Sequence, residues 1–399
     1  MIQPQKTLPV IIIGAGPVGL LSALALAKQG IAVLVLEAEP GLTIDLRAGT
    51  FHPPTLEMMA PLGITDRLEE TGIKVARWQA RDFQEGLIVE WDLSLLKNDT
   101  PYPYRLHLEQ HRLTPILLDM LAAYPHAQVR FSTRFTGYTQ DTGSVTVSAE
   151  SATATEKFDG SWLIGADGGR SAVRKATGIE FTGYTWPERY SVMSTTEDLA
   201  QYGYADNAYI SDPEQWIAVF RMPDQGPPGL WRLTIPVKGE MPDEEILAPA
   251  YAQKIMSRLL NREGPFPMVH QNVYRVHQRV AESFRAGRVL LAGDAAHVNN
   301  PLGGFGLNSG IHDAMNLAEK LGAVIRDKVP DSTLDLYSSE RRAANIEYVQ
   351  NMSVKNKQNL EEADPVKRSH RIDSLRKIAA DPALARDFLL GSSMLKSFR

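Results

Sequence analysis

Gly14-x-Gly16-x-x-Gly19 is the first pattern in this sequence whose residue types and spacing suit the binding of an anionic ligand. A buried-strand pattern precedes it, residues 20–29 have helical spacing after it, and a second apolar strand ends at Glu37. In such a βαβ unit the first glycine permits a tight turn, the second lets a pyrophosphate approach the backbone, and the third allows the helix to pack closely on the strand. Glu37 lies where a carboxylate accepts hydrogen bonds from a ribose. The pattern therefore predicts a bound dinucleotide.

A second motif, Gly293-Asp294, follows another apolar run over residues 288–292. A Pro/Gly-rich turn over residues 301–306 comes next, and a helical pattern begins near Asn308. This order places a carboxylate at the carboxyl end of a strand and directs the unpaired N–H groups of a helix N-terminus to the same spot. The stretch predicts a site for an oxygen-rich or anionic ligand.

A third motif, Gly165-Ala166-Asp167-Gly168, ends a buried strand that starts at Trp162, and residues 171–177 then look helical. On its own an Asp-Gly pair indicates only a turn. In this chain the pair follows a strand pattern, so Asp167 is another acidic residue at the end of a strand.

The segments between these motifs predict a second, inserted domain. Residues 180–275 are rich in aromatic residues and methionine, and short alternating segments at 216–222 and 230–235 predict antiparallel strands. Residues 243–260 and 107–123 have helical patterns, and residues 127–158 predict a β-meander with a turn at Asp141-Thr142-Gly143. The aromatic residues suit a core by default, and an apolar pocket for a flat ligand would use the same residue types.

These patterns divide the chain into three parts. We expect a discontinuous nucleotide-binding domain over residues 1–75, 99–178 and 276–345, and a substrate-binding β-sheet domain over residues 76–98 and 179–275. A helical tail over residues 346–399 has joints at Asp364-Pro365 and Asp381-Pro382. A chain of 399 residues is long enough for two domains.

The composition excludes several functional classes. The formal net charge is −5 and there is no long basic run, which argues against a nucleic-acid partner. The sequence contains no cysteine, so disulfides, thiolate metal sites and cysteine nucleophiles are ruled out, and a reducing cytoplasm is the expected location. Glycines and a proline interrupt the apolar stretch at residues 8–27, so we expect neither a secretory signal nor a membrane span there. No metal is expected.

Taken together and in this order, the three motifs resemble those of the single-component aromatic-ring flavoprotein monooxygenases, the para-hydroxybenzoate hydroxylase-like family. The resemblance covers nearly the whole chain. It implies an α/β fold: a Rossmann-like FAD-binding domain of the GR2 type, an inserted antiparallel β-sheet substrate domain and a C-terminal helical tail. It implies FAD as cofactor, NADH or NADPH as electron donor, and O2 and a small aromatic substrate as partners of a monomer or homodimer. A phenolic or hydroxylated heteroaromatic ring would be hydroxylated through a flavin C4a-hydroperoxide.

The resemblance also implies which residues contact FAD. They are Gly14, Gly16, Val18, Gly19, Glu37, Arg47, Gln110, Phe135, Asp167, Asp294, Pro301, Gly304, Gly306, Leu307 and Asn308. The glycines of the first motif would lie at the pyrophosphate and Glu37 at the adenosine ribose. Arg47 would lie beside the pyrophosphate and flavin, Gln110 at the ribityl region, and the backbone of Phe135 at the adenine.

The later motifs would surround the flavin itself. By the same resemblance, Asp167 is associated with both FAD and NAD(P)H, and Asp294 holds the ribityl chain. The carbonyl of Pro301 would lie beside the reactive flavin carbon, and the helix start near Leu307 and Asn308 would face the pyrimidine edge, where negative charge develops on reduction.

A phenol attacks best when it is partly deprotonated, so a base within reach of the substrate is expected. His52 is the first candidate because it follows the loop that contains Arg47, and Tyr209 and Tyr190 are the next. His52, Pro301 and Tyr209 are thus the predicted catalytic residues. We interpret His297 as an oriented loop residue.

Substrate identity and the choice between NADH and NADPH stay open at this point. Arg221 and Arg232 are candidates for binding a substrate carboxylate, and the alternative is that they occupy surface strand positions.

Several alternatives fit the motifs less well. A plain NAD-dependent dehydrogenase leaves both later Asp motifs unexplained, and the absence of cysteine excludes a flavin disulfide reductase. Trp231-Arg-Leu233-Thr-Ile235-Pro236 partly matches the Trp-x-Trp-x-Ile-Pro signature of FAD-dependent halogenases, with Leu233 at the second Trp position. A non-hydroxylating flavoprotein that binds FAD as a structural or sensing element is the remaining alternative.

Overall fold

A computed structural model describes residues 8–44, 49–223 and 229–398. Their contacts divide them into two compact units. The first unit comprises residues 8–44, 109–184 and 278–351, and the second comprises residues 49–108, 185–277 and 352–398.

The first unit contains a six-stranded sheet of largely buried, mostly apolar strands. In spatial order its strands are Arg285–Ala286, Val289–Leu291, Trp162–Gly165, Val10–Ile13, Val33–Leu36 and Ala127–Arg130. The last five run parallel and the first is antiparallel to its neighbour. Continuous apolar runs such as Val10–Ile13, buried at every position, are typical of a parallel sheet covered on both faces.

The remaining elements of the first unit are helices and a small antiparallel sheet. The α-helices are Pro17–Ala27, Gln110–Leu121, Ala172–Thr177, Phe305–Gly322 and Thr333–Ala344, with π-helical turns at Ala323–Asp327 and Asn345–Gln350 and a 3₁₀ turn at Gly293–Ala295. The small sheet contains Arg134–Gln140, Val145–Glu150 and Thr155–Gly160. The short strand His297–Val298 pairs with Val280 and Arg279.

Seven neighbouring strands form the main sheet of the second unit. In spatial order they are Met268–Ala281, Phe181–Thr195, Leu230–Val237, Ile217–Met222, Asn207–Ser211, Arg77–Asp82 and Gly86–Asp92. The first two of these strands continue into segments of the first unit. Asn207–Ser211 pairs parallel with Arg77–Asp82, and both partners of Ile217–Met222 are antiparallel to it. A smaller sheet has the order Thr50–Phe51, Arg105–His107, Ile73–Val75.

All three segments of the second unit contain helices. The helices are Pro53–Met59, Ile64–Glu69, Asp243–Ile246, Pro249–Leu260, Asn351–Leu360, Pro365–Ala380, Pro382–Ser392 and Leu395–Phe398, with 3₁₀ turns at Ala60–Leu62, Leu93–Leu96 and Leu199–Tyr202. Both predicted Asp-Pro joints are helix starts. Asp364 and Asp381 each accept hydrogen bonds from two backbone N–H groups of the following helix, and the proline occupies its first turn. The helices then pack on Trp78 and Trp91 through Leu389.

The α/β fold with an FAD-type sheet, an inserted sheet and a helical tail is confirmed. Three local predictions were wrong. Residues 107–109 precede the helix, which begins at Gln110, because residues 105–107 form a strand. Residues 127–130 belong to the parallel sheet and not to the meander. The pattern at 243–260 is two helices, because Pro249 begins the second one.

Candidate active site

The three predicted motifs of the first unit lie at one edge of its parallel sheet. Ile13 is in register with Leu36 on one side and with Gly165 on the other, and Gly165 is in register with Leu291. The residues that follow these four strand ends are therefore neighbours. Because ligands of open α/β sheets bind outside the carboxyl ends of the strands, this edge is the candidate cofactor site.

The three glycines of the first motif differ in the space around them. A Cβ on Gly14, whose φ is +106°, would lie 2.4 Å from the carbonyl oxygen of Ala166, and one on Gly19 would lie 2.0 Å from the oxygen of Gly14. A Cβ on Gly16 would meet no described atom within 4 Å. Gly14 and Gly19 thus allow close packing of strand, turn and helix, whereas Gly16 borders open space.

Helix Pro17–Ala27 begins directly after Gly16, and no described side chain caps it. Its first-turn N–H groups are the kind of donors that bind a pyrophosphate at the positive end of the helix. The residues present therefore fit a dinucleotide phosphate at Gly16 and Val18.

Glu37 lies beside this turn. Its Oε2 accepts a hydrogen bond of 2.7 Å from the N–H of Ala15, and Oε1 accepts one of 2.9 Å from Glu39. The carbonyl of Glu37 accepts the N–H of Thr133 at 2.8 Å, which brings the start of the strand containing Phe135 to the same place. The predicted ribose and adenine residues are thus close together.

Asp167 is held by the chain itself. Its Oδ1 accepts a hydrogen bond from the hydroxyl of Ser171, and its Oδ2 accepts the N–H groups of Ala172 and Val173 at 2.7 and 3.1 Å. The carboxylate therefore caps the six-residue helix that follows it.

Arg174, in the same short helix, connects two of the motifs. Its guanidinium is buried and donates to the carbonyls of Gly169 and Ala295 at 3.0 and 2.7 Å, and it lies over the ring of Phe181. The loop after Asp167 and the loop after Asp294 are thereby fixed to one side chain.

A buried carboxylate also positions the Gly293-Asp294 loop. Asp313, which is wholly buried, accepts the N–H of Gly293 at 3.0 Å, Nε2–H of His297 at 2.6 Å and Nε–H of Arg341 at 2.7 Å. Burial alone would raise the pKa of Asp313, but His297 and Arg341 lower it, so that the net pKa lies below the ordinary range. Asp294 itself is exposed between buried neighbours.

The turn at Pro301 leads into the longest helix of the first unit. The carbonyl of Pro301 accepts the N–H of Gly304 at 2.9 Å. Gly304 is the N-cap residue of helix Phe305–Gly322, which has no side-chain cap among the described residues. Gly306 and Leu307 lie in its first turn, and Asn308 donates to the carbonyl of Gly304 at 2.6 Å. This uncapped helix start agrees with the predicted anion-binding role.

Buried Asn300 anchors the turn at Pro301. Its N–H donates to the side chain of Gln278 at 3.0 Å, and its Oδ1 accepts the N–H of Leu302 at 3.1 Å.

Two further predicted cofactor residues are Gln110 and Arg47. Gln110 is the first residue of helix Gln110–Leu121 and is partly buried. Arg47 lies outside the described residues.

The predicted catalytic residues of the second unit have different environments. His52 is wholly buried, and its carbonyl accepts the N–H groups that begin helix Pro53–Met59. Tyr209 makes edge contacts with the rings of Trp78 and Phe220, each at 5.9 Å between ring centres. Tyr190 is wholly buried, and burial raises its pKa well above the usual value, so its phenol stays protonated. Tyr190 is therefore unsuited to act as a base near neutral pH.

The main sheet of the second unit has one apolar face and one polar face. On the apolar face, side chains such as Trp231, Leu233 and Ile235 pack against helix Pro249–Leu260. On the other face, Ser194 lies opposite Arg232, Arg232 opposite Phe220, and Phe220 opposite Asn207. Residues opposite each other in antiparallel strands share a face, so these four side chains form one row, which we call the polar row.

A short strand adds two more polar side chains beside the polar row. In Arg105–His107, Nη1 of Arg105 donates to Oδ1 of Asn207 at 2.7 Å, and the ring of His107 lies 5.9 Å from that of Phe220. Arg232 of the row is buried, whereas Arg221 points to the other face and pairs with Asp206 at 3.1 Å. Of the two arginines considered for a substrate anion, Arg232 thus has the suitable position.

Sequence reasoning missed Asp313, Arg341, Arg174 and His107. Ser309 and Asp313 are an i, i+4 pair of polar residues in a helical stretch. This spacing was a usable indication that they share a contact, since Arg341 hydrogen-bonds both residues. No local pattern in the sequence indicated that Arg341 would be the arginine that contacts Ser309 and Asp313.

A family model described as "FAD binding domain" matches residues 7–352. Para-nitrophenol 4-monooxygenase from Pseudomonas sp. strain WBC-3 is 36% identical over 392 residues, which are 98% of this chain and 96% of the relative. 6-Hydroxy-3-succinoylpyridine 3-monooxygenase HspB from Pseudomonas putida strain DSM 28022 / S16 is 35% identical over 98% of both chains.

Two solved structures are also similar to this chain. That of p-nitrophenol 4-monooxygenase PnpA from Pseudomonas putida DLL-E4 superimposes with a TM-score of 0.92 at 32% identity and 99% coverage of both chains. A ternary complex of aklavinone-11 hydroxylase with FAD and aklavinone has a TM-score of 0.77 at 27% identity, covering 90% of this chain and 70% of that one.

The chain belongs to the FAD-dependent aromatic monooxygenase family. The predictions of FAD as cofactor and of monooxygenase activity on aromatic rings are thereby confirmed. The halogenase and non-hydroxylating alternatives are not favoured. The stretch that resembles a halogenase signature is a core strand, with Trp231, Leu233 and Ile235 buried. In the described part of the chain, no helix is both long and apolar enough to cross a membrane.

Gly16→Ala and Gly19→Ala are expected to affect different properties. The first should weaken FAD binding, and the second should lower the stability of the apoprotein. Gly16→Ala adds a methyl group into open space, so the apoprotein keeps its thermal stability while FAD binding weakens by about tenfold or more, or about 1.4 kcal/mol. Gly19→Ala forces a clash with the Gly14 carbonyl and destabilises the apoprotein by about 1–3 kcal/mol. Calorimetric melting and FAD titration check both; normal FAD affinity in Gly16→Ala would contradict the pyrophosphate assignment.

Asp313→Asn is expected to destabilise the protein strongly. It leaves Arg341 buried without its carboxylate, and the expected loss is about 3–5 kcal/mol in urea unfolding, together with weaker FAD binding. Glu340→Gln is the matched control, because Glu340 pairs with Lys320 while its side chain is half exposed, and we expect a loss below about 1 kcal/mol. Equal effects of the two substitutions would show that Asp313 does not hold the loop.

Proposed function

We propose that this enzyme hydroxylates a small phenol or hydroxypyridine that has an acidic or electron-withdrawing substituent, with NAD(P)H as electron donor and O2 as co-substrate. The observation that carries the proposal is the polar row with its buried Arg232. Para-nitrophenol and 6-hydroxy-3-succinoylpyridine, the compounds in the names of the two relatives, both fit this description.

The residues of the first unit provide the cofactor site in this proposal. When bound, FAD accepts a hydride from NAD(P)H and activates O2, and the protein supplies binding and orientation. We assign the pyrophosphate to Gly16 and Val18, the ribose to Glu37 and the ribityl chain to Asp294. Asp167 acts indirectly, since its carboxylate caps a helix.

The residues of the second unit provide the substrate site. The rings of Phe220 and Tyr209 offer apolar surface to an aromatic ring, and the guanidiniums of Arg232 and Arg105 favour a negative charge on the substrate. Positive charge beside a phenol favours its ionised form, which is the more electron-rich ring. A buried site also excludes water, and this limits the release of hydrogen peroxide.

Other features of the proposal come from the sequence alone. The domain boundaries at 75/76, 98/99, 178/179, 275/276 and 345/346, a cytoplasmic location and a monomeric or homodimeric state stay predictions. We keep Pro301 as the residue beside the reactive part of the flavin.

A panel of aromatic substrates tests the proposed function. We expect para-nitrophenol, 6-hydroxy-3-succinoylpyridine or a hydroxybenzoate to stimulate oxidation of NADH or NADPH together with oxygen uptake, and mass spectrometry to find an oxygenated product. Aniline and benzoate serve as controls because they lack a ring hydroxyl group. Tight FAD binding with no stimulated turnover on any panel member would overturn the proposal.

Arg232→Met is expected to weaken binding of an anionic substrate by about 10- to 100-fold, because a hydrogen bond to a charged group is lost. Arg221→Met is the matched control, since Arg221 pairs with Asp206 on the opposite face, and it should change the dissociation constant by less than about twofold. Titration of the oxidised holoenzyme with para-nitrophenol measures both. Equal losses in the two variants would place the substrate anion elsewhere.

A further inference from the structure

His107 has one ring nitrogen that is used by the fold and one that is not. Nδ1 lies 2.9 Å from the carbonyl oxygen of Arg221. A carbonyl oxygen only accepts, so Nδ1 carries the hydrogen and Nε2 carries the lone pair. The ring is wholly buried, and Nε2 has no hydrogen-bond partner among the described residues.

A buried acceptor without a partner is uncommon and destabilising, so its retention requires an explanation. Several buried polar atoms in the described part of the chain have no partner, and Ser194 Oγ is one of them. Ser194 lies opposite Arg232, and His107 contacts Phe220, which is the other neighbour of Arg232 in the polar row. Nε2 of His107 and Oγ of Ser194 thus belong to side chains at the proposed substrate site.

The charges around His107 keep its ring neutral. Arg105 lies two residues before it on the same strand, and Arg232 lies on the sheet that the ring packs against. Burial, which is the larger cause, and these two arginines lower the pKa of His107 to about 4, although the hydrogen bond to the Arg221 carbonyl opposes the shift. On the far side of Arg232, His270 is partly buried, and burial and Arg232 lower its pKa too. Above about pH 5, Nε2 of His107 is therefore an acceptor.

We propose that Nε2 of His107 accepts the hydrogen bond and then the proton of the substrate's ring hydroxyl group. This inference rests on the proposed function, since it assigns the base that phenol hydroxylation needs. His107 takes the role that the sequence suggested for His52, which lies at the start of a helix.

The proton transfer accompanies attack of the ring on the electrophilic oxygen that the monooxygenase reaction supplies. A ring π pair forms the new C–O bond, the substrate O–H bond breaks, and its electron pair forms the C=O bond of a dienone. The proton forms an N–H bond at Nε2. Where the attacked carbon carries hydrogen, the ring loses that C–H proton to water and becomes aromatic again, and the imidazolium returns its proton to the phenol oxygen. Where it carries a nitro group, as at C4 of para-nitrophenol, nitrite leaves with the C–N electron pair, the new hydroxyl group loses its proton, a quinone remains, and the imidazolium releases its proton to water. Because a hydroxyl group on an attacked ring is far more acidic than a free phenol, a weakly basic imidazole suffices.

Two substitutions of His107 separate its two nitrogens. The amide N–H of His107→Asn replaces the Nδ1 donor to the Arg221 carbonyl and removes the Nε2 acceptor. His107→Gln places an amide oxygen near Nε2, which accepts a hydrogen bond but not a proton. His277→Asn, an exposed histidine of the same unit, is the control for loss of an imidazole. FAD content and melting temperature of each holoenzyme show that it has folded.

With para-nitrophenol as probe, we expect kcat to fall about 10²–10⁴-fold in both His107 variants at a pH below the phenol's own pKa. The loss should shrink as the pH rises above that pKa, because the substrate then arrives already ionised. In the resting holoenzyme the phenolate absorption band of bound para-nitrophenol should appear at a lower pH in His107→Asn than in the wild type, because the neutral Nε2 accepts a hydrogen bond only from the protonated phenol and so stabilises that form. His107→Gln should keep a dissociation constant closer to the wild-type value than His107→Asn does.

An unchanged pH–rate profile and an unchanged ionisation of bound para-nitrophenol in either folded His107 variant would overturn this role for His107. If the wild-type holoenzyme itself oxygenates no phenol of the panel, the proposed function fails instead. The two failures are therefore distinguishable.

Discussion

The cofactor edge of the first unit depends on one buried carboxylate. Asp313 receives hydrogen bonds from the backbone of Gly293, the ring of His297 and the guanidinium of Arg341. A fully buried charge is stable only when it is paired and its lone pairs are satisfied, so these groups must adopt one arrangement together. That arrangement fixes the loop of Asp294 relative to the helix that follows it.

Elements that a local sequence pattern specifies could be predicted from the sequence, whereas contacts between distant segments could not. The βαβ unit around Gly14–Gly19 was readable because strand, turn and helix follow one another without a break. The pair Asp313 and Arg341 was not readable, because it joins two helices that the chain brings together only in the folded state. His107 was placed in a helix because a three-residue strand is too short to show alternation. Its partner is moreover a backbone carbonyl, which every residue possesses.

Asp167 shows that a correctly located motif need not act through its charged group. The Gly-x-Asp-Gly stretch lies at the expected edge, yet both carboxylate oxygens bind Ser171 and the helix behind it. The more connected side chain is Arg174, which no part of the motif named. Arg174 thereby joins the loop after Asp167 to the loop after Asp294.

The two faces of strand Leu230–Val237 have different neighbours, and only one of them belongs to the proposed substrate site. Both faces are buried, but Trp231, Leu233 and Ile235 belong to the apolar core, whereas Arg232 and Thr234 point the other way. A register slip of one residue would move a guanidinium into that core, so the correct register is strongly enforced. In the proposed substrate site, the even-numbered positions of this strand face the ring substituent, while the odd-numbered positions keep the sheet aligned. A substitution at an even-numbered position therefore leaves the apolar core of the strand intact.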